Sequence, residues 1–382
     1  MSLDVKLLTG KKIADMPGRT QQAQEVAHRF ADFVAAATET LDIAIYHFKL
    51  AGPEGQIVAD ALNGAAEKGV KVRIAYFHEK QRGQSAEHLA LTGGDSDEPS
   101  DFSGVGNGVQ LQMIQGIDLN HLPVGTMPEP IEGGGHLMHS KYMVRDASAV
   151  WMGSANFTSE AWSVQDNNIV TIESPELARY YGSDFDDLWR TGRIAGTGKD
   201  DRGTVTVDSI KVDVDFSPGD GRTIDYQIAG AISAATHSVT IASMVISSGA
   251  VLNALVEAVE RGVNVTGTYD GPQMAGVAKH WSGVSDAAHG GATNGKAEQW
   301  QIVQSHLTGK KSMPFNPNKP GIPYNFMHNK VVVIDRQVVV TGSFNFSENA
   351  TRNAENVITI HDPAIAETYD RYIADLVTLF GG

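Results

Sequence analysis

The sequence predicts an α/β protein built as two tandem α/β domains, residues 1–200 and 201–382. Three observations predict it. A strand–helix–strand unit opens each half. A histidine–lysine–aspartate pattern at His139 returns 189 residues later at His328, each time with a Gly-Ser-x-Asn element downstream at the same spacing. The bulk composition is that of an ordinary globular chain: 382 residues, 41% hydrophobic and 20% charged, long enough for two domains.

In the first half, LDIAIYHF (41–48) reads as a strand, QIVADALNGAAEKG (56–69) as an amphipathic helix and VKVRIAYF (70–77) as a second strand. VTIASMVI (239–246), VLNALVEAVERG (251–262) and VNVTGTYD (263–270) repeat the unit. Val58, Leu62 and Ala66 recur at four-residue steps, and Leu252, Leu255 and Val259 share one stripe, so each helix has one apolar face. Gly69 and Gly262 close the helices as left-handed caps. Such a unit is a crossover between parallel strands. Residues 93–136 and 283–327 are rich in Gly and Pro and read as long irregular segments, each running into a motif histidine, which points to substrate shaping. GTGKDDRG, within the 195–208 stretch where the halves meet, is polar and turn-like. PELARYYGSDFDDLWRT (175–191) and AIAETYDRYIADLVTLF (364–380) read as matching amphipathic helices that close the two halves.

Each motif histidine starts a strand. Residues two apart on a strand share a face, so His139 pairs with Lys141 and His328 with Lys330. Two imidazoles and two ammonium groups are what displacement at a phosphodiester needs without a metal. The return strands bring Gly153-Ser154-Ala155-Asn156 and Gly342-Ser343-Phe344-Asn345 to the same edge. There glycine allows close backbone approach, and serine and asparagine supply neutral donors. SEAWS and SENAT then start helices, with Thr158 and Ser347 as N-caps. Asp146 and Asp335 lie five residues beyond the lysines, roughly 15 Å along a strand, and read as turn-forming or salt-bridging residues without a direct catalytic part. His136 stands three before His139, but no second ligand pattern accompanies it, so no metal site is expected. The chain has no cysteine, which rules out disulfides, thiolate metal sites and a Cys nucleophile.

HSKYMVRD with GSANFT, and HNKVVVID with GSFNFS, match without a gap the HxKxxxxD and GSxN signature of the phospholipase D superfamily, which the chain resembles across both halves. The resemblance implies two phospholipase D-like α/β domains, each a mixed sheet flanked by helices. It relates them by pseudo-twofold symmetry, as an internal pseudo-dimer within a monomer, around one active site. It also implies a covalent phosphohistidine intermediate and neither cofactor nor metal. Carried over residue by residue, His139 is the nucleophile and His328 the general acid. Lys141, Lys330, Asn156 and Asn345 then hold the non-bridging oxygens, with Ser154 and Ser343 as further substrate contacts. The family also places a carboxylate behind each histidine. In the second half Glu355 fills that place. In the first half, matching IVTI to VITI puts Asn167 there, whereas counting from the histidine without a gap puts Asp166 there. With Asn167 behind His139 and Glu355 behind His328, a neutral nucleophile would face a more readily protonated acid.

Two substrate classes fit this chemistry. Hydrolysis of phospholipid headgroups, or their transfer to an alcohol, is favoured, because Leu122, Val124, Met127, Met138, Met313, Phe315, Tyr324, Phe326 and Met327 read as an apolar mouth. The alternative is a nuclease. GSFNFSENATRNAENV resembles the tail of small bacterial and mitochondrial phosphodiesterases of the family, and Lys310, Lys311 and Lys319 form a basic loop. Against it stand the formal net charge of −15 and the lack of a dense basic stripe. An inactive lipid- or nucleic-acid-binding relic is set aside because both motifs are intact. No apolar run approaches the roughly 18 residues of a membrane span, so no stable membrane anchor is expected. The start, MSLDVKLLTGKK, lacks the layout of a secretion signal, which points to the cytoplasm, although a secreted form with its signal removed would look the same.

Overall fold

Each half of the chain builds its own mixed sheet, and the two sheets repeat one strand order. The computed structural model describes residues 2–10, 16–78, 126–132, 136–199, 201–283, 292–313 and 324–381. The first half opens with β1 (Ser2–Leu8), α1 (Met16–Ala35), β2 (Thr40–Ile45), the short β3 (Phe48–Lys49), α2 (Gly52–Glu67), β4 (Lys71–His78) and β5 (Thr126–Glu132). It continues with β6 (Lys141–Arg145), β7 (Ala149–Gly153), the short β8 (Phe157–Thr158), α3 (Ser159–Ser163), β9 (Asn167–Glu173) and α4 (Pro175–Thr191). The second half opens with β10 (Gly203–Val207), β11 (Ile210–Ser217), α5 (Gly221–Ala234), β12 (Ser238–Ser243), α6 (Gly249–Glu260) and β13 (Asn264–Asp270). It continues with α7 (Gly271–Gly283), α8 (Ala292–Gln304), β14 (Thr308–Lys310), β15 (Lys330–Ile334), β16 (Val338–Gly342), β17 (Glu355–His361) and α9 (Pro363–Gly381). The sheets are ordered β1-β9-β7-β6-β2-β4-β5 and β10-β11-β17-β16-β15-β12-β13-β14. With β11 standing for β1 and β17 for β9, the second order is the first with β10 added at one edge.

The repeated units explain the repeated order. β2 and β4 pair in parallel with α2 as the return, and β12 and β13 do the same through α6. Val58, Leu62 and Ala65 are buried from α2, and Leu252, Leu255 and Ala258 from α6. Gly69 and Gly262, at φ +88 and +79, sit just past the two helix ends in the left-handed conformation that glycine adopts without strain. The hairpins β6–β7 and β15–β16 turn through residues at positive φ, Asp146–Ala147 (50 and 45) and Asp335–Arg336 (50 and 53). An aspartate tolerates that conformation better than most residues.

Three described elements lie inside segments that the sequence reads as irregular: β5, α8 and the three-residue β14. β5 carries Pro128 and Pro130 and, among the described strands, pairs with β4 alone, at the edge of its sheet, the place where a strand tolerates proline. Among the described side chains, α8 buries only Trp300 and Val303 as full core residues, too narrow a stripe to show as helical periodicity between Gly/Pro-rich flanks. Conversely, SENAT forms turns and not a helix, although Ser347 Oγ still accepts from Ala350 N. Thr158 does cap α3, accepting from Ala161 N.

Three apolar clusters hold the layers together. One packs α1 and α2 on the first sheet through Phe30, Val58 and Trp162. Another packs α5 and α6 on the second through Ile228, Leu252 and Leu255. The third is shared between the halves: Val150 and Val170 of one sheet meet Val331 and Ile358 of the other, with Phe185 of α4 and Ile373 of α9 between them. Each such fully buried side chain contributes about 1.5–3 kcal/mol, so the halves are joined by a core and not by a surface contact. Among the described residues, no helix is long and apolar enough to cross a membrane.

Candidate active site

The edges of the two sheets that carry the motifs meet across this shared core, and the backbone fixes both histidines there. Residue 354 bridges to residue 138, with His139 N donating to Ala354 O (2.8 Å) and Ala354 N to Leu137 O (2.8 Å). The mirror arrangement bridges 166 to 327, with His328 N donating to Asp166 O (3.0 Å) and Asp166 N to Phe326 O (3.1 Å). Each histidine is therefore pinned to the opposite half of the chain.

The side chains cross in the same way. His139 Nδ1 lies 2.8 Å from Glu355 Oε2, and His328 Nδ1 lies 2.8 Å from Asn167 Oδ1. This corrects the pairing expected from the sequence: Glu355 stands behind His139, and neither Asp166 nor Asn167 does. The physical reason is the bridging just described, because the strand after each bridge starts beside the other half's histidine. Register also decides between Asp166 and Asn167. Gly153 pairs with Ile169 and Gly342 with Val357, so Asn167 is the counterpart of Glu355 and Asp166 of Ala354. The one-residue difference lies in the segment that forms α3 in the first half and turns in the second.

Both orienting groups are themselves held. Ser154 Oγ donates to Asn167 Oδ1 (2.8 Å) and Asn167 Nδ2 to Ala161 O (3.1 Å). That fixes the amide, so His328 Nδ1 is the donor and its Nε2 is left for chemistry. Ser343 Oγ donates to Glu355 Oε2 (2.6 Å) and Asn353 Nδ2 to Glu355 Oε1 (3.1 Å). The motif serines, expected as substrate contacts, thus brace the orienting residues and lie fully buried. The glycines before them are sterically required: a Cβ would come within 2.2 Å of Asn168 O at Gly153 and 2.0 Å of Asn356 O at Gly342.

Lys141 Nζ donates to His139 O (2.7 Å), and Lys330 Nζ to His328 O (2.7 Å) and His328 Nε2 (2.9 Å). Asn156 and Asn345 are buried where the chain leaves β7 and β16. Four residues of the site escaped the sequence reading. Tyr46 sets its ring edge-on to His139 (4.9 Å, 63°) and beneath Lys141 Nζ (5.0 Å). Asn168 bonds Asn329 (3.0 Å) across the interface and accepts from Tyr369 of α9 (3.2 Å), while Asn356 donates to Tyr181 of α4 (3.3 Å). The matched pairs Asn167-Asn168 and Glu355-Asn356 at the head of the last strands carry the signal for the asparagines. Lys310 is the fourth.

Asp146 and Asp335 stay clear of the chemistry. Asp146 accepts from Thr38, Glu39 and Thr40 N–H (all 2.8 Å), and Asp335 from Thr236, His237 and Ser238 N–H (2.9, 2.7 and 2.8 Å). Partial burial works against each charge, but the N–H groups outweigh it: Asp335 is pushed down to about 2 and Asp146 below the usual carboxylate range. Asp166 is fully buried and paired with Lys310 Nζ (2.6 Å); burial raises its carboxyl, and Lys310 and Gly10 N oppose the rise. Lys310 is therefore buried and not part of a basic loop. Among the expected mouth residues, Met138 and Met327 lie in the shared core and Tyr324 and Phe326 in the second half's core. Leu122, Val124, Phe315, Lys319 and the side chain of Met127 lie outside the described residues. Among the described residues, no group of three or more His, Asp or Glu comes together to hold a metal.

A family model described as "Cardiolipin synthase, PLD-like domain" matches residues 30–189 and 228–377. Over 51 residues the chain is 59% identical to a phospholipase D of Rickettsia felis, a match covering 13% of this chain and 24% of that protein. It is 26% identical over 162 residues to a mitochondrial cardiolipin hydrolase of Chlamydomonas reinhardtii, covering 42% of this chain and 56% of that protein. The matched stretch thus spans about a quarter of the length of the phospholipase D relatives. The solved phosphatidylserine synthase of Haemophilus influenzae Rd KW20 superposes with a TM-score of 0.59 at 12% identity, over 97% of this chain and 86% of that one, a likeness of fold.

Proposed function

The chain belongs to the phospholipase D superfamily, and from that premise we propose that it is a metal-independent phosphodiesterase acting on phospholipids through a covalent phosphohistidine, with residues 1–200 and 201–382 as its two domains. The observation that carries the chemistry is the crossed pair, His139 on Glu355 and His328 on Asn167. His139 Nε2 attacks phosphorus while the bond to the leaving oxygen breaks, and that oxygen takes a proton from His328 Nε2. Water then attacks the phosphohistidine and gives its proton back to His328, which restores both rings; an alcohol in place of water gives transfer.

The asymmetry supports this division of roles. Once its Nε2 bonds phosphorus while Nδ1 keeps its proton, the His139 ring is a cation, and the Glu355 carboxylate neutralises it. His328 Nδ1 rests on a neutral amide, Asn167, which holds the ring's positive charge less firmly than a carboxylate does when the leaving oxygen calls for the proton. In the free site Lys330 Nζ lies 2.9 Å from His328 Nε2; a phosphate oxygen that draws this ammonium away leaves Nε2 to carry the proton. Lys141, Lys330, Asn156 and Asn345 hold the non-bridging oxygens. His139 keeps the nucleophile's role for a reason opposite to the one the sequence suggested: it is the histidine with the carboxylate.

The phospholipid reading is supported by the names of the family model and of the relatives. It is also supported by the net charge of −15 and by the burial of Lys310 away from any polyanion. The test is a parallel assay with EDTA present, on vesicles of phosphatidylcholine and of cardiolipin and on single- and double-stranded DNA. Cleavage of lipid without cleavage of DNA is expected. DNA cleavage without lipid cleavage refutes the lipid reading and makes the protein a nuclease.

A further inference from the structure

We propose that Lys310 and Asp166 are positioning residues that clamp His328, a device to which Ala354, at the equivalent place behind His139, lends no charge. Lys310 ends β14 in the second half and Asp166 precedes β9 in the first; both are buried, at 3% and 0% exposure. Lys310 Nζ meets Asp166 Oδ2 at 2.6 Å, and Asp166 Oδ1 accepts from Gly10 N at 2.6 Å. The pair grips the three residues that end at His328. Phe326 O accepts from Lys310 Nζ (3.3 Å) and Asp166 N (3.1 Å), and His328 N donates to Asp166 O (3.0 Å). Between them Met327 N donates to Asp270 Oδ2 (2.9 Å), whose other oxygen accepts from Ser312 Oγ (2.8 Å). The next residue after Asp166, Asn167, takes the ring nitrogen itself.

At the equivalent place in the other half stands Ala354, which makes the two backbone bonds to residues 137 and 139 and has no charge to add. Two charges withdrawn from water gain little or nothing in stability over an apolar pair, so their value lies in holding one geometry. The packing leaves no slack: a Cβ on Gly10 would sit 2.0 Å from Val164 O and 2.7 Å from Lys310 Nζ. The clamp acts on the histidine that the preceding section reads as the leaving-group acid, and its kinetic consequence rests on that reading. A proton donor displaced by about 1 Å loses roughly 100-fold in rate, but only where the leaving oxygen needs a proton.

The test uses the full chain with Asp166→Asn/Lys310→Met, which removes both charges and keeps an acceptor for Gly10 N. Asp166→Asn alone, which keeps one acceptor oxygen and sets an NH2 donor where the other stood, serves if the double variant does not fold. Two readouts are taken. The hydrogen-bonded Nδ1–H proton resonance of His328 is expected to shift or vanish while that of His139 persists. First-turnover release of choline from phosphatidylcholine is expected to fall roughly 100-fold, while p-nitrophenolate release from bis(p-nitrophenyl) phosphate changes little. An unmoved His328 resonance overturns the clamp, and so does an equal loss with both substrates while His328→Ala shows the selective loss. If His328→Ala itself slows both substrates equally, the acid reading of His328 is what fails, and the resonance alone then decides for or against the clamp.

Discussion

Replacing Glu355 with glutamine removes one charge from behind His139 and keeps the side chain's shape. Glu355 Oε2 accepts at once from His139 Nδ1 (2.8 Å) and Ser343 Oγ (2.6 Å), while Oε1 accepts from Asn353 Nδ2 (3.1 Å). A glutamine oxygen can serve the first two, so its NH2 then faces the Asn353 amide, donor against donor. Turning a charge-assisted hydrogen bond into a neutral one costs about 1–1.5 kcal/mol, and the mismatch at Asn353 adds about 1–1.5 more. Together these come to about 2–3 kcal/mol at the transition state, or roughly 30- to 150-fold in kcat/KM. The assay is first-turnover release of p-nitrophenolate and of choline from the two substrates above. Because Glu355 supports the attacking ring, the loss should be the same for both leaving groups. A loss confined to choline release would show that Glu355 works through the acid and would reverse the assignment of the two histidines.

Other expectations follow from the same geometry. Asp335→Asn should leave turnover unchanged and blunt acid sensitivity. With its folded value held at about 2 against an ordinary 3.8, the carboxylate contributes stability above about pH 4 that is lost as pH falls toward 2; identical Tm profiles below pH 4 would count against this. Asp184 has the opposite sign. Burial lifts it to about 8, even though Tyr142 Oη donates to it at 2.6 Å, so wild type should lose stability as pH rises from about 4 to 8. Asp184→Asn should flatten that part of the Tm curve, and a parallel curve would contradict it. Gly342→Ala, with its Cβ 2.0 Å from Asn356 O, should destabilise by about 2 kcal/mol or more in chemical denaturation; a loss within experimental error would mean that the backbone there yields. Lipid hydrolysis should survive exhaustive EDTA, and loss of activity restored by a divalent cation would refute the metal-free mechanism.

Much of the fold was legible because it is local. The strand–helix–strand openings show in the spacing of Val58 and Leu62 and of Leu252 and Leu255, and the hairpin aspartates in their fixed distance from the lysines. What the sequence hid depends on how the halves dock. Nothing in the spacing of NAENVITI says that Glu355 reaches His139 and not His328, since periodicity reports a residue's face within its own strand and not the partner across an interface. Met138, Met327 and Phe326 look like a mouth because they flank the histidines, but they point into the cores on either side of them. Lys310 looks like part of a basic loop because it stands beside Lys311 and close to Lys319 in the sequence. Only the third dimension brings it to Asp166, 144 residues away in sequence.

The most direct measurement of the central claim is acid-quenched peptide mass spectrometry after brief exposure to bis(p-nitrophenyl) phosphate. A phosphoryl adduct is expected on His139, longer-lived in His328→Ala and absent in His139→Ala. An adduct on His328 would reverse the two roles, and turnover with no adduct on either histidine would contradict the covalent mechanism itself.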